Sequence, residues 1–145
     1  MLRTSFLLGA LLLAATPRSQ ADPLAARAAF GVQNLAGELR AMGPDYGATF
    51  TAAGVTFTPV LGSAAAEPAT LAWQLTEVRR GAAVAFRRTE DVAPFATGDS
   101  VRYPHTAGLT EVYDVRADGI EQSFVLQERP AGGGDLLVRG QIRTA

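Results

Sequence analysis

Glu111 and Gln122 interrupt what is otherwise an apolar strand face, Tyr113 lies two residues beyond Glu111, and Trp73 is the one tryptophan of the chain. A carboxylate set into an apolar face is costly unless it is paired or hydrogen-bonded. Two kinds of chemistry follow. In one, Glu111 and Gln122 face a ligand in a β-sandwich cleft, a carbohydrate for example, with Trp73 or Tyr113 as a stacking platform. In the other, Glu111 is a structural carboxylate bonded to an arginine or to backbone at the edge of a sheet. The second is favoured, because single polar residues are common near strand ends. Glycoside hydrolysis would need two carboxylates held about 5–9.5 Å apart across a cleft. Glu77, Glu111, Asp114 and Glu121 are available, and no local pattern selects a pair among them.

The remaining constellations point away from catalysis. His105 is the only imidazole and there is no cysteine, so a metal site built on several His or Cys ligands has nothing to draw on. Following Pro104, His105 is expected in a solvated loop. Gly98-Asp99-Ser100-Val101 resembles the nucleophile block of the GDSL esterases, but that family needs a helix after the serine and an Asp-x-x-His downstream. Arg102 stands three residues before His105 where the aspartate should be. No G-x-S-x-G elbow is present. Gly132-Gly133-Gly134 lacks the Lys-Ser/Thr of a phosphate loop, since every basic residue is arginine. No catalytic, cofactor-binding or metal-binding residue is therefore assigned, and no cofactor is expected.

These side chains must be positioned by strands. From Ala48 onward the apolar residues alternate with period two, and three segments read as hairpins with two-residue X-Gly loops. Ala48–Thr58 turns at Ala53-Gly54, pairing Phe50 with Phe57 above a threonine ladder of Thr49, Thr51, Thr56 and Thr58. Leu71–Arg88 turns at Arg80-Gly81, opposing Leu75 to Phe86 and Trp73 to Arg88, the latter a cation–π pair. Leu109–Gln127 turns at Asp118-Gly119, pairing Tyr113 with Phe124 and Arg116 with Glu121. A short strand is expected over Ser100–Tyr103 and a last one over Leu136–Ile142. Residues 22–47 read as a linker or short helix, opened by Asp22-Pro23 and weakened by Gly31 and Gly37. The expected fold is all-β, antiparallel hairpins forming a β-sandwich or part of a larger curved-sheet sandwich over residues 48–145.

Ahead of it, residues 1–21 read as a signal peptide. Arg3 supplies the positive start, Phe6 to Ala15 the apolar run, and Ser19-Gln20-Ala21 the small residues of a cleavage site. That run is shorter than the roughly 20 residues a spanning helix needs, so no membrane anchor is expected after cleavage. The protein is expected to be exported to the periplasm, the cell surface or the medium. A formal net charge of −1 on 145 residues offers no basic stripe for nucleic acid. With no cysteine, stability must come from a packed core rather than disulfides.

Gly108-Leu109-Thr110-Glu111-Val112-Tyr113, followed by Asp118-Gly119-Ile120-Glu121-Gln122-Ser123-Phe124, resembles a segment in the N-terminal β-rich region of large secreted bacterial proteins carrying FG-GAP (integrin-α-like) repeats. The family pattern is G-L-T-E-W-Y, a turn, then G-L-E-Q-G-F-x-L. Val112, Ile120 and Ser123 depart from it. Gly54-Val55-Thr56-Phe57-Thr58-Pro59, the strand around Trp73 and the turn before Leu136 are similar too. The resemblance implies a non-catalytic β module of an exported or cell-surface protein. It also implies that the chain is the first half of a larger β domain, whose strand edge could pair with a missing C-terminal part or with a second copy. A carbohydrate-binding or carbohydrate-active sandwich is the alternative.

Overall fold

The computed structural model describes residues 30–64, 69–106 and 108–144. The signal segment 1–21 and the opening of the 22–47 stretch lie outside the described residues.

Eleven strands are present among them. They are β1 (Gly31–Leu35), β2 (Glu38–Gly43), β3 (Tyr46–Thr51), β4 (Gly54–Pro59), β5 (Leu71–Arg80), β6 (Ala83–Arg87), β7 (Phe95–Thr97), β8 (Ser100–Pro104), β9 (Leu109–Arg116), β10 (Gly119–Leu126) and β11 (Leu136–Thr144). All pairings are antiparallel. One sheet runs β1-β2-β3-β4-β5-β11, with β6 also on β5; the other runs β10-β9-β8-β7. Because β11 takes one side of β5 along its whole length, β4 and β6 share the other side.

Alternation decides what each strand buries. Leu39 and Ala41 of β2, Tyr46, Ala48 and Phe50 of β3, and Val55 of β4 meet Val101, Tyr103, Tyr113 and Val115 of the smaller sheet in one core. Leu75, Val78 and Phe86 meet Leu109 in a second, alongside Phe124 and Leu126. Tyrosine hydroxyls reach across between the sheets in the first core. The Tyr46 hydroxyl donates to the Arg116 carbonyl at 2.5 Å, and the Tyr103 hydroxyl to the Gly54 carbonyl at 3.0 Å.

The linker or short helix expected over residues 22–47 gives way to strands from Gly31 onward. Gly31–Leu35 and Glu38–Gly43 are a hairpin. Leu39 and Ala41 are buried while Glu38 and Arg40 point away, a period-two pattern that no helix can bury on one face. Its loop, Ala36-Gly37, has φ of +54° and +88°, the left-handed pair of a type I′ turn. The Asn34 side chain accepts from the Gly37 N–H at 3.0 Å.

All three expected hairpins form, each displaced in register. Thr51 pairs with Gly54 and Phe50 with Val55, so the loop is Ala52-Ala53. Arg116 pairs with Gly119 and Tyr113 with Gln122, so the loop is Ala117-Asp118. None of these loop residues has a positive φ, whereas Gly54 and Gly119 do, at +136° and +155°. The glycines therefore open the returning strand after an ordinary turn, where type I turns favour them. In the middle hairpin Arg80 pairs with Ala83, and an irregularity at Val78/Arg79 brings Phe86 opposite Val78. In the first and third hairpins displacement by two residues keeps every side chain on its expected face, so the threonine ladder and their apolar faces survive; in the middle one the irregularity turns Val78 into the core and leaves Val84, expected on the apolar face, exposed. Arg116 and Glu121 still form an ion pair, now diagonally. Arg88 does not oppose Trp73: its guanidinium donates to the Ala52 carbonyl at 2.6 Å and to Asp91 at 3.0 Å.

A Cβ on Gly54 would sit 2.3 Å from the Trp73 carbonyl oxygen, on a backbone conformation that disfavours side chains. Gly54→Ala is expected to destabilise the fold by about 2 kcal/mol or more. Gly47→Ala, in open space on β3, should be neutral or slightly stabilising. Paired urea melts measure both, and equal losses would contradict the assigned role of Gly54.

Candidate functional site

On β9 the alternation sets Leu109, Glu111, Tyr113 and Val115 on the inner face. Glu111 is flanked by Tyr103 of β8 and Phe124 of β10, and Tyr113 by Val101 and Gln122. Trp73 reaches across from β5 of the other sheet. The result is a carboxylate 3% exposed with donors on both oxygens. Its Oε1 accepts from the Tyr113 hydroxyl at 2.5 Å, from Gln122 Nε2 at 2.7 Å and from Trp73 Nε1 at 3.2 Å. Gln122 Nε2 also lies 3.0 Å from the Tyr113 hydroxyl oxygen. His105 Nε2 stands 3.1 Å from Oε2.

The four residues singled out from sequence, Glu111, Gln122, Trp73 and Tyr113, thus form one cluster. Neither the arginine nor the backbone at a sheet edge expected for a structural carboxylate is involved: the partners are neutral donors and a histidine, of which Tyr113 and His105 are buried, Trp73 half-buried and Gln122 exposed. His105 was expected in solvent and instead is 7% exposed. Its backbone N–H donates to the Leu109 carbonyl at 2.9 Å, which turns the ring inward between Phe86 and Tyr103, at centroid distances of 4.8 and 6.2 Å. The signal for it was present. Val101, Tyr103 and His105 continue one period-two series, and extending the expected strand past Pro104 puts the imidazole on the inner face.

Burial acts first on the Glu111 carboxyl and pushes its pKa up. The hydrogen bonds from His105, Tyr113, Gln122 and Trp73 outweigh it and hold the net value below the ordinary 4.5. Glu111 is therefore an anion at neutral pH, and an anionic carboxylate only accepts, so His105 Nε2 carries the shared proton. His105 Nδ1 is buried with no partner. Burial, reinforced by the Glu111 charge, pushes both the Tyr113 and Tyr103 hydroxyls well above the usual phenol range.

This arrangement is poorly placed for acid–base work, since the carboxylate is enclosed by its own donors. Nor does it complete a hydrolytic triad. Ser100 and His105 project from opposite faces of the β8 segment, and the Ser100 hydroxyl donates to Asp114 on the outer side. The glycine loop is no phosphate cradle either: Arg80 binds the Gly134 and Pro130 carbonyls at 3.2 Å each. Among the described residues, no group of three His, Cys, Asp or Glu side chains could hold a metal ion.

Beside the cluster, a cleft of about 210 Å³ opens between the sheets. Val55, Phe57, Leu71 and Trp73 line one wall, and Tyr113, Ile120 and Gln122 the other. Gln122 is the one amide in an otherwise hydrophobic and aromatic lining. Fold and site together define a small two-sheet antiparallel β protein organised around a buried carboxylate. No protein family, no curated protein and no solved structure matches this chain.

Because the folded carboxyl has the lower pKa, its stabilising contribution is complete above the unfolded value and is lost as pH falls through the folded one. Thermal stability is expected to hold from neutral pH down to the region of 4.5 and to fall below it. Glu111→Gln should lower stability at neutral pH and flatten that acid limb. Melts across the acid range measure this; an unchanged limb in the variant would assign it to other groups. Gln122→Ala, which strips one donor from Glu111 and a neighbour from Tyr113, should cost about 1–3 kcal/mol by the same measurement.

Proposed function

We propose that this chain is an exported, non-catalytic β-sandwich module with a structural or binding role, of the kind found in the N-terminal β-rich region of large bacterial surface proteins with FG-GAP repeats. The observation that carries this reading is that Glu111 and His105, the groups best suited to acid–base chemistry, are bonded to each other and enclosed in the core. The one serine with a catalytic-looking context faces away from them. Export is supported by the positive start, short apolar run and small residues of 1–21.

A second reading, carbohydrate binding, is favoured by one feature. The inter-sheet cleft brings Trp73, Tyr113 and Gln122 together, and aromatic walls with a few polar groups are the equipment of small-molecule sites. It would be a binding role, since no paired carboxylates flank the cleft.

The test is a panel of ester and glycoside substrates run beside a glycan array. The expected outcome is no turnover above background. Hydrolysis abolished by Ser100→Ala or Glu111→Gln would overturn the non-catalytic reading, and array binding lost in Trp73→Ala would select the carbohydrate one. Export predicts that the purified secreted protein begins at Asp22, which N-terminal sequencing reads directly.

A further inference from the structure

We propose that β11 is a self-association edge, through which two copies of this chain pair antiparallel and join their larger sheets. The surface itself is unusual. β11 pairs only with β5 among the described residues, and all nine of its residues are exposed. It carries Leu136, Leu137, Val138 and Ile142, four of the twelve exposed large hydrophobics of the described chain. Of the other free edges, β1 and β6 with five residues each and β7 with three are blunted by brevity, a common protection against edge pairing, and β10, eight residues long, carries a single exposed large hydrophobic, Val125, against four on β11. β11 has neither short length nor proline.

The occupant follows from the strand's own pattern. Val138 opposes the buried Val78, Gly140 opposes the buried Leu75, and Ile142 opposes Trp73. Leu136, Val138, Gly140, Ile142 and Thr144 therefore share the inner face, and Leu137, Arg139, Gln141 and Arg143 the outer. Two-fold antiparallel pairing with matching faces allows only registers that move in steps of two. One register uses the whole strand, with Gly140 opposite Gly140 of the second copy. It sets Val138 against Ile142 of the second copy on the inner face. On the outer face Arg139 meets Gln141, and Arg143 meets Leu137. The neighbouring register on either side brings Arg139 onto Arg139 or onto Arg143, like charges directly opposite, which is destabilising. The full-length register is thus the one the charges permit, and the strand is complementary to itself. Gly140 fits the axis for a second reason: a Cβ there would fall 2.0 Å from the Trp73 ring, so the position is kept clear by packing within each copy.

The proposal is independent of the function assigned above. Sedimentation velocity on the full chain over a concentration series should show a monomer–dimer equilibrium. Val138→Lys with Ile142→Lys should weaken it by about tenfold or more, with the far-UV spectrum unchanged because both side chains are exposed. Leu35→Lys on β1, the opposite edge, should leave it intact. The native chain has no cysteine, so the register is directly readable. Arg139→Cys and Gln141→Cys proteins, mixed and oxidised, should form a disulfide heterodimer far faster than either oxidises alone. A chain that stays monomeric overturns the proposal. So does a dimer insensitive to the lysines, or one whose mixed cysteine variants link no faster than the single ones.

Discussion

A single negative charge inside an apolar core constrains this molecule more than any other feature. Desolvating a carboxylate is expensive, and the expense falls only when donors converge on it from fixed positions. Here they come from four separate elements: Trp73 from β5, Tyr113 from β9, Gln122 from β10, and His105 just past the end of β8. Any slip of β10 against β9, or of one sheet over the other, would strip donors from Glu111. The carboxylate therefore penalises alternative packings, a specificity that apolar contacts alone provide less sharply. Tyr46 and Tyr103, each donating to a carbonyl of the opposite sheet, tie the layers elsewhere in the same fashion.

The two sheets are unequal, and the inequality shapes the surface. The smaller sheet ends at β10, whose Phe124 and Leu126 cover the inner faces of β5 and β6. The larger sheet continues one strand further. Beyond that cover, β11 shows Leu136, Val138 and Ile142 on its inner face at 46, 36 and 59% exposure. The bulge that lets β5 accommodate β11 lies at Arg139/Gly140, where the Thr76 hydroxyl donates to the Arg139 carbonyl at 3.0 Å. Trp73 links the regions: its indole N–H belongs to the buried carboxylate, its ring lies against Gly140, and one side of it lines the inter-sheet cleft. The cleft, the charge cluster and the open strand are neighbours through that one side chain.

For function, the consequence is a division of labour between interior and surface. Glu111 and His105 are bonded to each other in the interior, while the surface presents an apolar cleft and a long strand edge.

The sequence by itself determined the period of the strands in the first and third hairpins, and with it the faces on which their side chains lie; the irregularities of β5 at Val78 and Thr76 were not legible. The sequence therefore placed Glu111 and Gln122 on the inner face, where Glu111 is buried and Gln122 remains exposed, and located all three hairpins. Alternation is a local property that survives any even displacement, so the faces were legible although the registers were not. Tertiary structure decided the registers: Gly54 and Gly119 follow ordinary turns rather than forming them, and at Gly54 the Trp73 carbonyl leaves no room for a side chain. It set Gln122 opposite Tyr113 and so beside Glu111. It also chose strands over a helix at Gly31–Gly43, since burying Leu39 and Ala41 against β8 and β9 outweighs local helix propensity. His105 became a buried partner for the same kind of reason: a residue after a proline reads as loop until a carboxylate on the adjacent strand supplies the hydrogen bond that lets it be buried.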